Sequence, residues 1–286
     1  MIEIIQALHP AALAVAVFVF GLLIGSFLNV VILRFPRQLL HDWHCQCREL
    51  LEMEQPTEET PPGLVKSRSH CPSCKQTIAW YDNIPVLSWI ILGRKCRHCS
   101  APISFRYPLV ELTTALLSVV VIWHFGPTAE GLAAMLLTWA LIAATGIDID
   151  HQLLPDQITL PLLWLGLALN LFFGLFASLE DAVIGAIAGY GTLWLVYHGF
   201  RLTTGKEGMG YGDFKLLAAL GAWMGWQVLP LIILGASLVG AVVGIALMIA
   251  LRRGKEIPIA FGPYLAAAGW IALLWGERII DYWLMV

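Results

Sequence analysis

Two carboxylates stand out by where they fall in the chain. Asp148 closes a long apolar run within Thr145-Gly-Ile-Asp-Ile-Asp-His-Gln-Leu-Leu-Pro-Asp156, with no Lys or Arg nearby, and Asp213 opens another after Gly208-Met-Gly-Tyr-Gly212. An ionised Asp in or beside hydrocarbon is costly, so such residues face a wet interior and mark chemistry. Like charges in close contact cannot both ionise, so a pair of aspartates that meets shares one proton. The ionised member then takes a proton from water while the protonated member polarises a carbonyl, which is what peptide hydrolysis requires. No Ser-His-Asp order and no His-Glu-x-x-His helix competes for the role. Residues two apart on a helix do not share a face, so only one of Asp148 and Asp150 points at Asp213, and Asp148 is the deeper. His151 reads as an interfacial side chain, and Asp156, after Pro155, as a helix cap.

A second chemistry is carried by cysteine. Cys71-Pro-Ser-Cys74 and Cys96-Arg-His-Cys99 are two Cys-x-x-Cys knuckles, a spacing that supplies four thiolates to one tetrahedral zinc. In so small a segment the metal is folding energy, so the site is expected to be structural. Cys45 and Cys47 lie outside this pattern and read as thiols without a metal.

The elements that must position these groups are apolar. The chain has 286 residues, 58% hydrophobic and only 13% charged, with a mean hydropathy of +0.75, which marks a polytopic membrane protein. No basic stripe interleaved with aromatics appears, which argues against a nucleic-acid partner. Apolar runs near spanning length fall at 11–33, 108–124, 130–147, 158–176, 182–200, 214–228, 229–251 and 261–276, so the expectation is an all-α protein with about eight transmembrane helices. The run at 214–228 is the least distinct, and Trp223 and Trp226 read as its interfacial end. Of the 17 Lys and Arg, all but Arg278 fall on one side if the N-terminus is outside, so the positive-inside bias puts both termini outside. Asp148 and Asp213 then lie at the cytoplasmic face. No cleaved signal peptide is expected, since nothing basic precedes the first run. The implied division is a first membrane helix at 1–35, a cytoplasmic zinc-ribbon-like domain at 36–107 and a membrane core at 108–286.

Other features carry less. Gly25 and Ser26 admit a close helix neighbour, and Asn29 is either packing glue or the wall of a polar pocket. Residues 38–70 read as a short amphipathic helix and a flexible connector with a solvated acidic face. Pro108 suits a first helical turn, and Glu111 reads mainly as a helix-start acid, with a role in a site the weaker alternative. The glycines at 205–212 allow close approach of a peptide chain and do not form a Walker pattern. Arg252-Arg-Gly-Lys255 reads as a basic anchor, and Phe261-Gly-Pro-Tyr264 opens the last run with a kink or re-entry.

Gly25-Ser-Phe-Leu-Asn-Val-Val-Ile32, the paired knuckles, Arg106-Tyr-Pro-Leu-Val-Glu111, Asp148 with Leu154-Pro-Asp156, and Gly210-Tyr-Gly-Asp213 together resemble the type IV prepilin peptidases over nearly the whole chain. The resemblance implies an intramembrane aspartic protease of the Gly-x-Gly-Asp class, multi-pass in the bacterial inner membrane, with Asp148 and Asp213 as the dyad and Cys71, Cys74, Cys96 and Cys99 on zinc. It implies prepilin and pseudopilin substrates met at the lipid surface, and N-methylation of the new amino terminus from S-adenosylmethionine, to which no residue is assigned. A transporter or an assembly scaffold with a structural zinc domain is the competing reading, since acids within membranes also form ion relays.

Overall fold

The computed structural model describes residues 9–53, 60–64, 67–206, 208–251 and 260–284. The basic anchor at 252–255 and residues 54–59 of the acidic stretch lie outside the described residues. Among the described residues there is no strand, only the isolated bridges His70–Thr77 and Lys95–Pro102. A chain this apolar satisfies its backbone internally by forming helices. In order these are α1 (Pro10–Leu50), a 3-10 turn (Trp80–Asn83), α2 (Leu87–Ile91), α3 (Arg106–Phe125), α4 (Ala129–His151), α5 (Asp156–Phe173), α6 (Leu179–Thr204), α7 (Tyr211–Met224), α8 (Leu229–Leu251) and α9 (Gly262–Leu284).

Each apolar run coincides with one of the long helices, but among the described residues only six, α1, α3, α4, α5, α6 and α8, are long and apolar enough to cross a membrane. With 14 residues, α7 is about 21 Å long, short of a hydrocarbon core of about 30 Å. α9 carries Glu277, Arg278 and Asp281 in its second half, which lowers its hydropathy. The expected eight crossings therefore narrow to six clear spans.

The chain forms two compact units, Met1–Pro127 and Thr128–Val286. In the first, α1 and α3 lie against each other because α1 presents glycine at the contact. A methyl group at Gly21 would stand 2.6 Å from the Cα of Ala115, and one at Gly25 2.6 Å from the Cα of Glu111. α1 runs on through Pro36, which removes one helical N–H, to Leu50. The amphipathic helix expected after residue 38 is thus the continuation of the first membrane helix.

In the second unit α7 is the centre. Phe214, Leu216, Leu217, Ala219, Leu220 and Trp223 are fully buried, which only a helix wrapped on all sides by others permits. α6 reaches it through paired small residues: a methyl at Gly185 would lie 2.4 Å from the Gly221 carbonyl oxygen, and one at Gly189 2.7 Å from that of Leu217. Small residues replace the hydrophobic effect as the means of close packing between apolar helices. α5 is tied on by polar groups. Trp223 Nε1 donates to the Leu162 carbonyl at 2.8 Å, and Asn170 Nδ2 donates to the carbonyls of Ala222 and Trp223 at 3.0 and 2.9 Å. Trp223 is therefore a core residue and not the interfacial marker its sequence position implied. Trp226 is exposed and bonds Asp181 at 2.9 Å.

Candidate active site

Asp148 is delivered by the end of α4. Thr128 caps the start of that helix by accepting the Gly131 N–H at 3.1 Å, and Gln152 ends it in the left-handed conformation with φ 51°, its N–H closing on the Asp148 carbonyl at 2.8 Å. Asp148 is 5% exposed, whereas Asp150 faces out. The two-residue offset on a helix thus puts one acid inside and the other at the surface.

The turn after α4 brings Leu154 between two glycines. A methyl at Gly212 would stand 2.6 Å from Leu154 Cβ, and one at Gly262 would stand 3.0 Å from Leu154 Cδ1 and 2.6 Å from Asp148 Oδ2. Both close approaches exist because neither position carries a side chain. Gly262, the first residue of α9, donates its N–H to Asp148 Oδ2 at 3.0 Å. The pair Gly262-Pro263 looked like a simple kink in the sequence, yet it holds one of the aspartates. A Gly-Pro pair at the head of an apolar helix was the available signal, and nothing local said what it touches.

Asp213 lies in the first turn of α7, one residue beyond Gly212, and its N–H bonds the Gly210 carbonyl at 3.2 Å. It is 7% exposed, and its Oδ1 is buried with no hydrogen-bond partner among the described residues. Asp148 is near enough for its charge to act on Asp213. Asp156 does not cap α5: it makes no cap bond and instead receives Lys215 Nζ at 2.6 and 2.8 Å. That pair ties the start of α5 to the turn of α7 that carries Asp213. Two acids from distant segments, enclosed and with no neutralising cation among the described residues, have the makings of an acid-base pair that acts on a bound water.

The cysteines of the N-terminal unit converge as well. The Sγ atoms of Cys71, Cys74, Cys96 and Cys99 all lie within 4.8 Å of one another. The two knuckles repeat each other bond for bond. Cys71 and Cys96 donate N–H to the carbonyls of Gln76 and Ala101 at 2.9 and 2.8 Å, and accept at their own carbonyls from Lys75 and Ser100 at 2.9 and 3.0 Å. Lys75 and Ser100 both take positive φ, 60° and 57°. Ile78 and Ile103 then donate to Ser69 and Arg94 at 2.8 and 2.7 Å. No such repeat was expected from the sequence, although Ser69–Ile78 and Arg94–Ile103 align without a gap. The N–H groups of Cys74 and Ser73 draw the Cys71 thiol down to about 6. At Cys99 the Ala101 N–H pulls the same way, but burial and the hydrogens shared with Cys74, Cys96 and Cys71 prevail and push it up to about 11. Thiols that share protons in this way fit a metal ion that would take the protons' place. Arg97, in the second knuckle, holds Asp82 of the 3-10 turn through Nε at 2.7 Å and stacks over Tyr81.

Asn29 is buried and donates Nδ2 to the Tyr107 carbonyl at 3.0 Å. Glu111 is not a helix-start residue in practice: it lies beyond the first turn of α3, and its Oε2 accepts the Val86 N–H at 2.8 Å. Cys45 Sγ lies 3.6 Å from His41 Nε2, away from the four-cysteine cluster.

Residues 19–125 match the model of the bacterial peptidase A24 N-terminal domain, and residues 135–245 match that of the type IV leader peptidase family. A protein of Pseudomonas aeruginosa is 56% identical over 274 residues, covering 96% of this chain and 94% of its own. One of Aeromonas hydrophila is 58% identical over 269 residues, covering 94% and 92%, and one of Legionella pneumophila is 43% identical over 284 residues, covering 99% of each. All three carry the name prepilin leader peptidase/N-methyltransferase. No solved structure matches the chain.

Proposed function

The chain belongs to the type IV leader peptidase family, and on that premise we propose that Asp148 and Asp213 are the catalytic dyad that cuts the leader from prepilins and pseudopilins. The enzyme is an integral protein of the inner membrane, a peptidase that is also a methyltransferase. The observation that carries the dyad is that α4 and α7 bury one aspartate each in a single site, with the Gly262 N–H on one and a bare oxygen on the other. Asp148, supported by that N–H, suits the ionised partner that takes the proton from water, since a hydrogen bond to the charged form favours it. Asp213, with Oδ1 unengaged, suits the acid that donates to the scissile carbonyl. The glycines before Asp213 leave room for an extended substrate backbone.

The basic-residue bias supports a topology with both termini periplasmic and with the cysteine loop and the two aspartates cytoplasmic, where the basic leader of a prepilin would be met. Cys71, Cys74, Cys96 and Cys99 hold a structural zinc. The ion supplies a fourfold crosslink to the loop and takes no part in hydrolysis. S-adenosylmethionine supplies the methyl group for the new amino terminus.

Mass spectrometry of a prepilin incubated with the protein in detergent tests this reading. Asp148→Asn and Asp213→Asn each keep side-chain shape and remove the shared proton, and each is expected to abolish the mass loss of leader removal while retaining one metal ion per chain. Cys71→Ser or Cys96→Ser is expected to lose the metal. Full cleavage by either Asn variant overturns the dyad, and unchanged zinc content in the Cys variants overturns the metal assignment.

A further inference from the structure

Methyl transfer requires a place for the donor, which the aspartate pair does not by itself supply. The N-terminal unit contains a cavity of about 420 Å³, within the range of about 300–1,000 Å³ usual for small-molecule sites. Ser26, Asn29 and Glu111 of the membrane helices α1 and α3 line one side, and Thr77 and Trp89 of the cysteine loop line the other. The cavity is therefore placed where a water-soluble donor and a membrane-borne acceptor can meet.

Its one deeply buried acid is Glu111, which is 7% exposed. An ionisable side chain within a spanning helix marks function unless a partner accounts for it. Among the described residues no cation neutralises Glu111; it is held by the Ser26 hydroxyl and by the Val86 N–H at 2.8 Å. Val86 makes that bond from a strained position, with φ 60° and ψ −48°. The Leu87 N–H folds back on the Pro85 carbonyl at 2.6 Å, which makes a three-residue turn of the rare positive-φ kind around a β-branched side chain. Strain of this sort persists at sites that clamp a ligand. Helix capping does not need Glu111, and neither do the four cysteines.

We propose that this cavity is the methyl-transfer site and that Glu111 receives the α-amino group of the freshly cut pilin. The proposal rests on the methyl-transfer reading given above. Glu111 lies in the second turn of α3. The ammonium gives one proton to the Glu111 carboxylate. The freed nitrogen lone pair then attacks the sulfonium methyl of S-adenosylmethionine. The N–C bond forms as the C–S bond breaks, the C–S electrons remain on sulfur as a neutral thioether, and the amine leaves as a secondary ammonium.

The test uses the full chain in nanodiscs with a prepilin, recording leader loss and methyl gain in the same spectrum, together with saturation binding of radiolabelled S-adenosylhomocysteine. Glu111→Gln is expected to remove the leader at the wild-type rate, to bind S-adenosylhomocysteine as the wild type does, and to lose at least about 100-fold in methyl gain, the scale of a general base. Normal methylation by Glu111→Gln overturns the proposal. Should that variant also lose leader removal, and with it the fold, Val30→Trp decides, because Val30 lines the cavity. Leader removal without S-adenosylhomocysteine binding supports the site, and retained binding with full methylation overturns it. A wild-type protein that cuts the prepilin but adds no methyl group refutes the underlying methyl-transfer reading instead, and is read from the control lane.

Discussion

Gly262→Ala probes the proposed dyad without touching either aspartate. A methyl group built on Gly262 lies 2.6 Å from Asp148 Oδ2 and 3.0 Å from Leu154 Cδ1, whereas ordinary contact begins at 3.4 Å. The carboxylate must therefore retreat by about 0.8 Å or α9 must shift by as much, and Leu154, already in contact with Gly212, leaves little room. The backbone at 262 is not in the left-handed region, so the effect is steric and not conformational. A displacement near 1 Å of a catalytic group costs on the order of 100-fold, equivalent to about 2.7 kcal/mol in the barrier. The expected result is a fall of roughly 100-fold in kcat for leader removal, with KM nearly unchanged because the substrate's distal contacts are untouched. Gly235→Ala is the control: its methyl would meet Ala268 Cβ at 3.5 Å, an ordinary contact, and the rate should not change. Rates of prepilin conversion in nanodiscs, followed by mass spectrometry at saturating and limiting substrate, measure both constants. A Gly262→Ala enzyme within about threefold of the wild type would show that Asp148 is not held for catalysis by this helix start.

Two further outcomes follow from the packing and from the thiols. Asn170→Ala removes bonds to Ala222, Trp223, Phe176 and Ala177 and leaves buried backbone groups unpaired, at a cost of about 3 kcal/mol; thermal unfolding in detergent should show it as a clear drop in Tm, and an unchanged Tm refutes the role. In metal-free protein the Cys71 thiolate is favoured by the fold, because its pKa falls from 9.0 to about 6. Its contribution to stability is therefore complete above about pH 9 and fades as pH falls toward 6. Cys99, pushed up to about 11, behaves in the opposite sense: its neutral form is favoured, and that contribution is lost between about pH 9 and 11. Thiolate absorbance on titration should spread over this whole range, and four thiols titrating together near pH 9 contradict the shared-proton arrangement.

What could be read along the chain was local. Apolar run length located the helices, because a backbone in hydrocarbon has few alternatives. The Cys-x-x-Cys spacing located the cysteine cluster, because a knuckle is closed by hydrogen bonds within ten residues. The two-residue offset of Asp148 and Asp150 said that only one acid faces in, and depth within the run picked the one the fold buries. Contacts between distant residues were another matter. Asp156 and Glu111 both looked like helix-start acids, yet one is taken by Lys215 and the other by Val86. Trp223 looked interfacial and is core, since α7 is surrounded by helices where a lone span would be surrounded by lipid. Residue types and periodicity record what each segment needs from its surroundings, apolar cover, a partner for a charge or space for a close neighbour. Only packing decides which distant residue supplies it, and so only the tertiary structure set the Gly262 N–H on Asp148 and the strained Val86 N–H on Glu111.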